Sequence, residues 1–99
     1  MSDPPPPRRT QVDLSEVVTI EEIHSAFAAK LKFPDFYGGN WDAFWDVLTG
    51  FDCFPARLTI IGRKNLQESL PDQLKMLDTL FSEYETQEGM KVLDIQWNP

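Results

Sequence analysis

Cysteine, histidine and cations are scarce in this chain, and long apolar runs are missing. The single thiol, Cys53, cannot close an internal disulfide, so nothing favours an oxidising compartment and a cytoplasmic protein is expected. Nine Lys and Arg face sixteen Asp and Glu, a net charge of -7. Such a surface repels phosphate backbones and anionic membranes, so neither nucleic acid nor membrane is an expected partner, and a basic protein is favoured. No run approaches the roughly 20 apolar residues of a membrane span. The stretch from Met1 to Gln11 has no apolar core, so no secretory leader is expected either.

What the chain does have is enough apolar matter for one domain. Its 99 residues leave no room for a second core, and 41% hydrophobic and 12% aromatic residues suit a packed globule rather than a disordered chain. Pro4 to Pro7 cannot continue a helix or donate to a ladder, so residues 1–11 read as a disordered proline-rich tail and 12–99 as the domain. The PxxP pattern before Arg8 and Arg9 is also of the kind that fits an SH3-type groove, but the tail reading is the simpler one.

Along the domain, apolar periodicity and caps alternate between strand and helix. Val12 to Val18 reads as a first strand, and Thr19 with Glu22 forms a capping box for a helix from Ile20 that carries Ile20, Ile23, Phe27 and Leu31 on one stripe and ends before Pro34. After a loop with paired glycines, Asn40 caps a second helix, Trp41 to Thr49, which Gly50 is expected to close in the left-handed conformation. Arg57 to Ile61 reads as a central strand buried on both faces. Asn65 to Ser69 suits a short helical turn. Pro71 opens a long helix with Leu74, Leu77, Leu80, Phe81 and Tyr84 inward, ending near Gly89, and Val92 to Trp97 is the last strand. Strands separated by helices need long crossovers, so a small α/β fold is expected, a three-stranded parallel sheet packed with about four helices.

The chemistry is concentrated in one segment. Residues 33–56 hold eight of the twelve aromatics and four aspartates, Asp35, Asp42, Asp46 and Asp52, with no Lys or Arg. At 100° per residue Asp42, Asp46 and Thr49 share one narrow face of the second helix. Ala43, Phe44, Val47 and Leu48 point the other way, and Trp41 and Trp45 flank the acids. The helix dipole helps Asp42, in the first turn, but not Asp46. Carboxylates among flat rings compose a patch for a basic protein, rings giving burial and acids giving steering and charge-assisted hydrogen bonds. An ordinary solvated face is the competing reading. Phe33, Phe36, Phe44, Phe51 and Phe54 each also have a claim to the interior of so small a domain.

The run FPDFYGGNWDAFWDVLTGF, Phe33 to Phe51, resembles the central signature of the barstar family, intracellular inhibitors of secreted microbial ribonucleases. The matching positions are Pro34, Tyr37, Gly38, Asn40, Asp42, Ala43, Trp45, Asp46, Leu48, Thr49 and Gly50, and a weaker likeness extends from Val12 to Trp97. The resemblance implies an inhibitor of a barnase-type, guanyl-specific ribonuclease. Asp46 would be the main anion mimicking RNA phosphate, Asp42 its companion, and Trp45 would pack beside them. It also implies contacts from Phe36, Tyr37, Gly38, Asn40, Thr49, Gly50 and Phe51, with a distal acid at Glu83. Phe36 and Phe51 stand where the best-known member has tyrosine and tryptophan, so stacking is kept while hydroxyl and indole donors are lost; Gly39 replaces a frequent acid, which alters the fine specificity of the loop and not its shape. The implied state is a monomer or a 1:1 heterodimer with a basic extracellular ribonuclease or nuclease toxin.

Rival readings fit less of the sequence. Paired carboxylates run glycoside hydrolysis, but Asp42 and Asp46 share one exposed helix without a cleft or nucleophile, so no enzyme is expected. DxxxD is common on surfaces, so no metal or other cofactor is expected. Gly38-Gly39 lacks the lysine of a phosphate loop and reads as a turn. His24 reads as a surface or boundary histidine and Cys53 as an inert half-buried thiol. Two alternatives keep the fold and change the partner: immunity against another nuclease toxin, or a regulatory binding module that inhibits nothing.

Overall fold

The first two helices begin where a side chain satisfies a free N–H group. In the computed structural model, which describes residues 9–51, 53–87, 89 and 92–99, the Thr19 hydroxyl accepts from Glu22 N at 3.2 Å. The Glu22 carboxylate accepts in return from Val18 N and from the Thr19 hydroxyl. Helix α1, Ile20–Leu31, follows, and Lys32 stops it in the left-handed conformation at φ 54°. It buries Ile23, His24, Phe27 and Leu31, whereas Ile20, at the head of the expected stripe, is exposed. Helix α2, Trp41–Gly50, starts at Asn40, whose side chain accepts from Ala43 N at 2.8 Å. Gly50 stays within the helix and is not left-handed as expected. Phe51 closes the last turn through its N–H on Val47 O at 3.2 Å and leaves in extended conformation, so no positive φ is needed.

The sheet is parallel throughout, in the order β1-β2-β3, with β1 Arg9–Asp13, β2 Arg57–Ile61 and β3 Asp94–Asn98. The fold is therefore the expected α/β one. The first strand, however, lies earlier than the expected Val12 to Val18 and includes Arg9 to Gln11, assigned above to the tail. The Asp13 carboxylate accepts from Ser15 N and Oγ, which turns the chain just after the last ladder bond, Leu14 N to Ile61 O at 2.7 Å. Val17 and Val18 thus fall outside the strand. The last strand likewise begins late, where Asp94 N meets Ala56 O at 2.9 Å.

The central strand is not buried on both faces. Leu58 and Ile60 are buried with Val12, but Arg57 is exposed and Thr59 and Ile61 are half-buried. The row across the sheet at that level is Gln11, Thr59 and Gln96, a polar face that alternates away from the core.

Helix α3, Arg63–Ser69, is longer than the expected turn, and its Asn65 amide donates to Leu14 O and Val17 O, both at 2.8 Å. Helix α4, Pro71–Glu85, buries the expected Leu74, Leu77, Leu80, Phe81 and Tyr84 but stops four residues short of Gly89. Arg63 grips Asp78 of α4 with both Nη groups, at 3.0 and 2.7 Å, and lies 4.8 Å over the Trp97 ring. This ties α3, α4 and β3 together. At the centre Phe27 and Phe44 meet edge to face at 5.1 Å, with Phe54 and Phe81 within 6.1 Å of Phe44. Burying each such ring is worth about 1.5–3 kcal/mol. Among the described residues no helix is long and apolar enough to cross a membrane. Pro4 to Pro7, Arg8 and Asp52 lie outside the described residues.

Candidate protein-binding face

Helix α2 is two-sided, as its spacing requires. Phe44, Val47 and Leu48 are buried, Asp42 and Asp46 are exposed, and Trp41, Trp45 and Thr49 lie at the boundary. Its core side is locked at the first turn by Trp41, whose indole N–H donates to Gln73 of α4 at 2.7 Å. Thr49 donates its hydroxyl to Trp45 O at 2.8 Å, so this side chain is occupied within the helix. Gly50 is exposed, and a Cβ there would meet nothing within 4 Å.

The acids do not stand on a bare helix. Asp42 and Asp46, with Trp41 and Trp45, form one wall of a cavity of about 400 Å³, and Met76, Leu80 and Glu83 of α4 form the other. Glu83, assigned by resemblance alone, is thus brought to the same groove as the two aspartates. Met76 and Leu80 were not assigned to the site. Their signal in the sequence is the helical spacing 76, 80, 83 on a helix whose stripe otherwise turns inward, with Met76 left 39% exposed.

The loop before α2 carries the second half of the face. Tyr37 N bonds Pro34 O at 2.9 Å, and Gly39 takes φ 69°, a conformation that favours glycine. Phe36 is 74% exposed and Phe51, at the far end of α2, is 42% exposed, yet their rings lie 5.7 Å apart. Phe33, Phe44 and Phe54 are core instead. The five phenylalanines therefore divide, three inward and two outward as a pair. Gly38 and Asn40 are exposed, but the Asn40 carbonyl is committed to capping α2.

Tyr37 faces inward rather than out. Its hydroxyl is hydrogen-bonded to Nδ1 of His24, and burial pushes its pKa up to about 12, so it stays protonated. This overturns the reading of His24 as a surface or boundary residue. Only 3% of it is exposed, and it packs 4.5 Å from the Trp41 ring and near Phe44. It is buried because it occupies the inward stripe of α1 beside Ile23 and Phe27, with the loop tyrosine supplying a partner. Burial lowers its pKa against the opposing pull of Glu21, and Nε2 has no hydrogen-bond partner among the described residues. His24 thus pins the loop to α1 as a neutral ring. Among the described residues no three His, Cys, Asp or Glu side chains are placed to hold a metal ion.

Residues 8–96 match the family profile described as Barstar (barnase inhibitor). A Bacillus subtilis (strain 168) protein named "Putative ribonuclease inhibitor YrdF" is 42% identical over 53 residues, 54% of this chain and 58% of that protein. The chain thus covers less than two thirds of that relative's length. The profile, however, takes in β1, β2, all four helices and the first three residues of β3, and on that evidence the chain belongs to the barstar family.

Proposed function

We propose that this protein is a non-enzymatic inhibitor that plugs the cationic active site of a basic, guanyl-specific ribonuclease, acting in the cytoplasm as one partner of a 1:1 complex. The observation that carries this is the convergence of Asp42, Asp46 and Glu83 from two helices on one exposed groove beside Trp45. A ribonuclease site built to hold RNA phosphate offers clustered arginine, lysine and histidine, and carboxylates fixed on helices meet them without loop ordering. The name of the Bacillus relative, a ribonuclease inhibitor, points the same way.

In this reading Asp46 is the principal phosphate mimic and Asp42 and Glu83 flank it. Trp45 and the Phe36–Phe51 pair cover apolar surface around the charges and exclude water from them. Gly38 and Gly50 let the partner approach the backbone, while Tyr37, Asn40 and Thr49 hold the face from behind. Net charge of -7 speeds encounter with a basic enzyme and makes it salt-sensitive. The outward pair of phenylalanines, lacking any polar group, favours a nuclease whose opposing surface is apolar there. That leaves immunity against a different nuclease toxin as the second reading.

The test is inhibition. Purified protein is titrated against a guanyl-specific ribonuclease in an RNA-cleavage assay, with Asp46→Ala alongside. Stoichiometric inhibition that Asp46→Ala loses supports the reading. If the wild type leaves cleavage untouched while capturing another nuclease, the second reading replaces it.

A further inference from the structure

The outward face of the sheet is polar and carries two of the chain's nine cations side by side. A cavity of about 580 Å³ lies over it, lined by Arg9, Gln11, Arg57, Thr59, Gln96 and Asn98 among others, with no acid among the described lining residues. In a chain of net charge -7 this is a local gathering of guanidinium groups and hydrogen-bond donors. Arg9 and Arg57 are register partners on adjacent parallel strands, and strands of one sheet run about 4.8 Å apart. Like charges placed so repel, and Arg9 has no ion pair among the described residues.

Two acids stand on this face at opposite ends: Asp13, two rows along β1 from Arg9, is turned to Ser15, and Asp94 lies in the row of the arginines. Asp94 accepts from Arg57 Nε at 2.9 Å through one oxygen and from Gln96 Nε2 at 2.7 Å through the other. Both carboxylate oxygens are thereby engaged, and the Nη groups of Arg57 are left for another acceptor. The next row of the register, Gln11, Thr59 and Gln96, supplies neutral donors beside the two guanidinium groups. Planar N–H forks next to amides and a hydroxyl, with Arg9 outside any ion pair among the described residues, suit a compact oxyanion better than a carboxylate-rich protein surface.

We propose that the outward face of the sheet binds a tetrahedral oxyanion of the phosphate class, held between Arg9 and Arg57 with hydrogen bonds from Gln11, Thr59 and Gln96. The site is distinct from the acidic groove of α2 and α4 and does not depend on what that groove binds.

Amide chemical shifts of the full chain, followed through titration with inorganic phosphate and with chloride at matched ionic strength, test this. Saturable shifts confined to β1, β2 and β3 and specific to phosphate are expected. Gln11→Glu, which sets an acid in the row next to the arginines, and Arg9→Gln are each expected to weaken binding about tenfold or more. Both side chains are exposed, so an unchanged melting temperature is expected of each. A parallel titration with a nucleoside 5′-monophosphate separates the sources: tighter binding than phosphate assigns a phosphorylated small molecule, and equal binding assigns free phosphate. Shifts no larger than those with chloride, or phosphate shifts that survive in Gln11→Glu, overturn the proposal.

Discussion

Two sets of phenylalanines, drawn from one stretch of about twenty residues, meet opposite fates. Phe33, Phe44 and Phe54 fill the core, and Phe36 and Phe51 stand in solvent against each other. The side chain is the same, so what differs is the backbone that presents it. Phe44 lies four residues before Leu48 on the inner side of α2, whereas Phe36 sits in a turn and Phe51 where the chain leaves the helix in extended conformation. A solvent-exposed ring pair leaves apolar surface open to water, and in the inhibitor proposed above the partner covers it.

The sharpest way to break this comparison is to exchange ring for methyl in each set. Phe44→Ala is expected to lose about 3–5 kcal/mol of stability in urea unfolding, the range for a buried phenyl. Phe36→Ala is expected to stay within about 0.5 kcal/mol of wild type. Similar losses for both would erase the distinction. In binding the order reverses. Asp46→Ala is expected to cost about 2 kcal/mol or more of affinity, with Asp42→Ala and Trp45→Ala next and all three folded; the barnase–barstar complex is itself a reference case for that hot-spot range. Calorimetry against the captured nuclease reads this, and wild-type affinity in Asp46→Ala would remove the phosphate-mimic assignment. Phe36→Ala and Phe51→Ala should each lose about 1 kcal/mol of affinity, and the double variant less than the sum, because the rings touch.

The smallest effect comes from behind the loop. His24 is neutral when buried, so its native pKa lies below the ordinary value of about 6.5. Above that value both states are neutral and pH is without effect. As pH falls through it, the unfolded chain takes up a proton that the native ring resists, and stability declines until the lower native pKa is reached. Urea midpoints at pH 8 and pH 5.5 should therefore differ by less in His24→Gln than in wild type. An identical drop in both would mean that carboxylates alone set the pH response.

The helices were legible in the sequence because their signals are local. Thr19 with Glu22, Asn40 and Pro71 each mark a start, and the inward stripe of α4 follows from spacing alone. β2 was legible to the residue, being short, β-branched and bounded by Pro55 and Gly62. The edges of the sheet were not. β1 and β3 are set by their ladders to β2 and by the Asp13 turn, which are contacts between distant segments. Asp42, Asp46 and Trp45 were legible as one helical face, and the resemblance brought in Glu83. The far wall of the groove was not, since Met76 and Leu80 reach it only through the packing of α4 on α2. His24 was misread for the same reason: its partner, Tyr37, is thirteen residues away and on another element.

Gly62 follows β2 at φ 102°, and a Cβ added there would lie 2.5 Å from Ser15 N and 2.6 Å from Leu14 C, both backbone atoms that cannot swing aside. Its N–H meets Asn98 O at 3.0 Å one residue after Ile61 O receives Leu14 N, so all three strands are fastened at this point. A saturation library at residue 62 should accordingly yield glycine alone among folded clones. The smallest side chain in the alphabet is here the one that holds the sheet's far margin shut.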